Sequence, residues 1–105
     1  MFDVAKVAGS SMSPLLLDGD ILLFRKRKQF AAGDIVVYQL TSELLVVKRV
    51  DEVKNGVINL ISDNRWLESS LNLSGLSGDR VVGVVFGELL KAPQLQVSAT
   101  LARAT

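Results

Sequence analysis

With 105 residues, 49% of them apolar and 22% charged, the chain is long enough for one modest core and too apolar for a disordered segment. Twelve basic and eleven acidic side chains nearly cancel, so net charge gives no argument for nucleic acid. Cysteine and histidine are both absent, which excludes disulfides, thiolate metal sites, a cysteine nucleophile and any imidazole-based triad.

If a hydroxyl is activated in this chain, the base must be a lysine, a carboxylate or the terminal amine. No metal or cofactor is expected. No apolar run approaches the roughly 20 residues of a membrane-spanning helix. The first residues, Met1-Phe2-Asp3-Val4-Ala5-Lys6, lack the apolar centre of a signal peptide. The expectation is a soluble, cytoplasmic protein with no transmembrane segment: one domain over residues 1–91, then a loosely ordered tail over 92–105.

Residues 2–8 alternate loosely and predict a first strand. Gly9-Ser10-Ser11-Met12-Ser13-Pro14 follows, a polar turn squeezed between apolar runs and therefore tied to a core. Pro14 disfavours the helical region for Ser13 and opens a short helical turn through Leu15-Leu16-Leu17. Asp18-Gly19-Asp20 reads as a turn and Ile21-Leu22-Leu23-Phe24 as a strand. Arg25-Lys26-Arg27-Lys28 reads as a solvated hairpin end or a charge-protected edge rather than an anion site.

Ala31-Ala32-Gly33-Asp34 is a second turn, and Ile35-Val36-Val37-Tyr38-Gln39 is a strand rich in β-branched residues. After Thr41-Ser42-Glu43, residues 44–50 form the next strand, paired with 35–39. Lys54-Asn55-Gly56 is a tight turn linking residues 49–53 to 57–61, because Asn-Gly takes positive φ cheaply. Residues 62–79 read as one long irregular loop containing Trp66, and 80–87 as a last strand, bent at Gly83. Many short strands between Gly, Asn and Asp turns predict a mostly β fold coiled into a sandwich or partial barrel.

Side chains alternate along residues 44–50, so Lys48 shares a face with Leu44, Val46 and Val50. Burial without a carboxylate lowers a lysine pKa and leaves a neutral amine able to accept a hydroxyl proton. The opposing interpretation is a lysine that snorkels to solvent from a sheet edge.

The serine turn, Asp18-Gly19-Asp20, Gly33-Asp34-Ile35-Val36-Val37, Val47-Lys48-Arg49-Val50 and Ser62-Asp63-Asn64 resemble, in content, order and spacing, the Ser-Lys peptidases of the LexA and signal peptidase I superfamily. The resemblance spans roughly residues 7–87. It implies a mostly β fold and endopeptidase cleavage of a protein or peptide, with Ser11 as nucleophile and Lys48 as general base. The short Ser-to-Lys separation resembles LexA-type members, and Ser62-Asp63-Asn64-Arg65 resembles the Gly-Asp-Asn box of signal peptidases. Backbone at Gly9, Ser10 and Ser11 would bind the oxyanion. Substrate would lie extended along a strand edge near Met12, Pro14, Ile35 and Val37.

Gly9 stands where signal peptidases often carry a serine. Val46 stands where LexA-type members often carry a lysine-orienting hydroxyl. Ser69 or Ser70 is the candidate replacement, with Glu68 close by as a group that would instead raise the lysine pKa.

A second reading is the dimerisation and self-cleavage module of a LexA-type repressor, or its processed fragment, as a homodimer. Ala8-Gly9 lies too close to Ser11 to be cut by it, so self-cleavage is not expected, and no helix-turn-helix is present to bind DNA directly. A third is a β domain that keeps the motifs for packing alone.

Overall fold

Two turns set the architecture. Asn55 and Gly56 both have positive φ, 52° and 76°, as a two-residue hairpin turn requires. The residues flanking them, Lys54 and Val57, face each other across the ladder. Residues 42–43 make the second turn, between Thr41 and Leu44. The computed structural model describes residues 2–9, 11–26, 29–64, 73–90 and 102–104.

Among the described residues eight strands follow in chain order: β1 (Phe2–Val7), β2 (Ile21–Arg25), β3 (Ile35–Thr41), β4 (Leu44–Lys54), β5 (Val57–Ile61), β6 (Leu76–Ser77), β7 (Val81–Leu90) and β8 (Ala102–Ala104). A 3-10 turn, Gly78–Arg80, precedes β7. The sheet order is β3-β7-β2-β1-β8-β4-β5-β6, and β3 pairs also with β4, which brings the sheet round on itself. β8 meets β4 at one register pair, Leu45 with Ala104, so the coil is a partial barrel rather than a continuous wall. The mostly β class expected from the sequence is the class observed.

β4 is one strand of 11 residues where the pattern suggested two. Its first half pairs with β3 up to Arg49, and from Arg49 onward it pairs with β5. A register shift between Val50 and Glu52 leaves Asp51 bulged, and that extra residue disguises the continuity by shifting the alternation. The long loop expected over residues 62–79 also contains regular structure, since β6 pairs with the start of β5. The tail contributes β8, which runs parallel to β1.

Two buried clusters lie against this sheet. One gathers Ala5, Val7, Met12, Leu16, Leu22, Phe24, Val37 and Val47. The other gathers Val36, Tyr38, Val46, Val50, Ile58, Leu60, Leu73, Val81 and Val84. Val36 and Val37, and likewise Val46 and Val47, divide between them, which is why β3 and β4 read as continuous apolar runs. Among the described residues only two charged side chains are buried, Asp20 and Lys48.

Gly83 sits beside a register irregularity and is fixed as glycine by sterics. Val37 faces Gly83 while Tyr38 faces Val81, leaving Val82 extra. A Cβ at position 83 would run into the Arg25 carbonyl and the Phe24 ring. Because strand backbone and a core aromatic cannot both give way, Gly83→Ala should cost about 2–3 kcal/mol, read as a lower urea midpoint with an unchanged slope.

Candidate active site

The serine turn is fastened at both ends. Val7 donates its N–H to the Asp20 carbonyl and Gly19 donates to the Val7 carbonyl, each at 2.8 Å, joining the end of β1 to the approach to β2. Gly9, at φ +89°, donates to Asp18 Oδ1 at 2.8 Å. The buried Asp20 carboxylate accepts the Leu17 N–H at 2.9 Å. Leu16 donates to the Met12 carbonyl, closing a single helical turn past the cis Ser13-Pro14 peptide. Met12 and Leu16 point into the core, Ser11 is half-buried, and Pro14, Leu15 and Leu17 face solvent.

Lys48 reaches this turn from β4. Its Nζ lies 2.6 Å from Ser11 Oγ, with only 4% of the residue exposed. Burial pushes its pKa below the ordinary lysine value, because the ammonium loses water. Among the described residues no carboxylate pairs with it to oppose that shift. A neutral amine at this distance is placed to take the hydroxyl proton.

The third component is the Ser62-Asp63-Asn64 segment after β5. Asn64 donates its N–H to the Ser11 carbonyl at 2.8 Å, and Asp63 donates its N–H to Met12 Sδ at 3.4 Å. The Asp63 carboxylate is gripped at both oxygens by Arg49, Nε at 2.8 Å and Nη2 at 2.7 Å, a bidentate charge-assisted pair. Arg49 Nη1 donates also to the Gly33 carbonyl at 2.7 Å. The pairing holds Asp63 below the usual carboxylate range and raises Arg49. Lys48 and Arg49 are adjacent, yet Arg49 takes the carboxylate and Lys48 takes the hydroxyl.

Other expected site residues divide. Ser10, Arg65, Trp66, Glu68, Ser69 and Ser70 lie outside the described residues. The Gly9 N–H is engaged by Asp18 and is not available to an oxyanion, whereas the Ser11 N–H has no acceptor among the described residues. Met12 and Val37 are at most 1% exposed; they fill the core and present no side chain to a substrate cleft. β3 cannot serve as a free edge along Val36, Val37 and Tyr38, because β4 and β7 flank it there; Ile35, half-buried at its start, lies outside the β7 register, as do Gln39, Leu40 and Thr41 at its end. Pro14 is exposed beside the site. Val46 is wholly buried and brings no hydroxyl.

The roles of Asp18, Asp20 and the Arg49–Asp63 pair were missed. The doubled aspartate of Asp18-Gly19-Asp20 is the available signal; the sequence marks it as a turn and as one motif of the family resemblance, without assigning bonds to either carboxylate. Among the described residues no cluster of acidic side chains could hold a metal ion, and no helix is long and apolar enough to cross a membrane. A cavity of about 320 Å³ lined by Gln29, Phe30, Val53, Gly56, Gly78 and Asp79 includes neither Ser11 nor Lys48.

Residues 3–86 match a family model described as Peptidase S24-like. No curated protein matches the chain.

Asp63→Asn tests the clamp. The variant should lose about 1–2 kcal/mol at neutral pH. Because Asp63 is held below its ordinary value of 3.8, its contribution is complete above that pH and fades as the pH falls beneath it. Wild-type and variant stabilities, measured by urea titration, should therefore converge in acid.

Proposed function

The chain belongs to the Peptidase S24-like family, and from that premise we propose that it is a serine endopeptidase in which Ser11 is the nucleophile and Lys48 the general base, acting in trans on a protein or peptide. The observation that carries the reading is the 2.6 Å contact between Lys48 Nζ and Ser11 Oγ, made by a buried lysine without a described carboxylate partner.

Neutral Lys48 takes the Ser11 proton as Oγ attacks the scissile carbonyl. The oxyanion is met by the Ser11 N–H. The Lys48 ammonium then protonates the departing amine, leaving an acyl-enzyme and a neutral lysine again. Water, deprotonated by that lysine, attacks the ester, and Ser11 recovers its proton. Asn64 and Asp63 fix the turn from behind, so that Oγ is aimed rather than free to rotate away. Action in trans is favoured because Val7, Gly9 and Gly19 tie the segment before Ser11 into the sheet, which holds the preceding peptide bonds away from Oγ.

The test is turnover of candidate protein substrates by wild type, Ser11→Ala and Lys48→Ala. Each variant should lose activity by on the order of 10³-fold or more, and the double variant by little further, since the two residues act as one unit. The wild-type rate should rise with pH, with its inflection below the ordinary lysine value, as the amine deprotonates. Equal turnover by all three proteins would remove both residues from the mechanism.

Lys48→Met separates chemistry from stability. Below 10.5, its ordinary value, the unfolded lysine binds its proton more readily than the folded one, so the residue weakens the fold at neutral pH. The variant should be inactive yet more stable by about 1 kcal/mol, with the gain disappearing as the pH rises past the ordinary lysine value.

A further inference from the structure

β8 occupies a particular place in the sheet. Ala102, Arg103 and Ala104 pair in parallel with Ala5, Lys6 and Val7 of β1, and Ala104 also pairs in parallel with Leu45 of β4. β8 thus lies between the strand that leads into Ser11 and the strand that carries Lys48, and all three run in one direction. Lys48 is three residues beyond Leu45, roughly 10 Å at the rise of a strand. Beyond Ala104, β4 has no described ladder partner on that edge until Arg49 meets Ile61. Beyond that pair β4 runs on through Val46 and Val47, both wholly buried, to Lys48 and its contact with Ser11.

We propose that the slot between β1 and β4 is the groove that takes the extended substrate, and that residues 102–104 are a resident strand competing for it. The inference rests on the Ser11–Lys48 reading, to which it adds regulation. A peptide bound there pairs with backbone on both sides, runs parallel to β1 and β4, and delivers its downstream residues to Ser11. β8 uses the same hydrogen-bonding edges, so substrate entry requires its departure. Its hold is modest, because it is three residues long and meets β4 at only one register pair. The groove is therefore latched rather than sealed.

A fluorescein-labelled peptide of the chain's own residues 99–105 provides the probe, titrated into the full chain and into Arg103→Pro and Ala104→Pro. Proline lacks the N–H of a paired strand and cannot remain inside one. If β8 fills about nine-tenths of the grooves, releasing it tightens peptide binding about tenfold. Unlabelled peptide should displace the probe from both variants. The kinetic counterpart is a KM about tenfold lower with kcat unchanged, because a competitor within the chain acts on entry and not on the chemical step. Equal peptide affinity in wild type and both variants would overturn the inference, whatever the turnover. Tighter binding to the variants with no turnover by any of the proteins would retain β8 as the groove's occupant and refute the Ser11–Lys48 peptidase.

Discussion

The site depends on a lysine kept out of water and away from carboxylates. An exposed amine is almost entirely protonated at neutral pH and cannot act as a base. An amine buried beside a carboxylate is protonated more firmly still. Lys48 avoids both conditions, with its head group against Ser11 Oγ and the carboxylate of the adjoining segment held by Arg49. The Arg49–Asp63 pair thus engages the carboxylate of that segment through the guanidinium, and no described carboxylate pairs with Lys48.

The same segment joins the site to the fold. Asp63 and Asn64 follow β5 directly, and their N–H groups hold Met12 and Ser11. Met12 is buried in the cluster that includes Val37 and Val47. The turn bearing the hydroxyl is thus braced by the core beneath it, by the end of β5 behind it, and by Asp18 and Asp20 at its exit. A buried carboxylate such as Asp20 is tolerated because backbone N–H groups take the place of water. Here one of those groups, from Leu17, stiffens the loop that returns the chain to β2.

Where the sequence was informative, the cause was local. Asn55-Gly56 announced its turn through positive φ, the β-branched run at 35–39 announced a strand, and alternation placed Lys48 with Val46 and Val50, all of which are buried. Where it was silent, the cause was distance along the chain. Arg49 and Asp63 are 14 residues apart, and no periodicity marks such a pair. Asp18 and Asp20 looked like turn residues because they are turn residues; their bonds to Gly9 and Leu17 exist only once the turn has closed. The bulge at Asp51 broke the alternation and split β4 in two on the page. Ser11 and Lys48 were connected through a family resemblance, since nothing in spacing alone brings residues 37 positions apart into contact.

Lys48 stands one residue before the point where β4 passes from its pairing with β3 to its pairing with β5. Neighbouring side chains on a strand face opposite ways, so slipping β4 by a single position would exchange Lys48 for Arg49 at the serine. A guanidinium does not surrender its proton at any accessible pH. Whether the side chain beside Ser11 is one that can lose its proton or one that cannot therefore comes down to two tight turns, at 42–43 and 55–56, counting residues correctly. In this fold a hairpin's length is also a choice of acid–base chemistry.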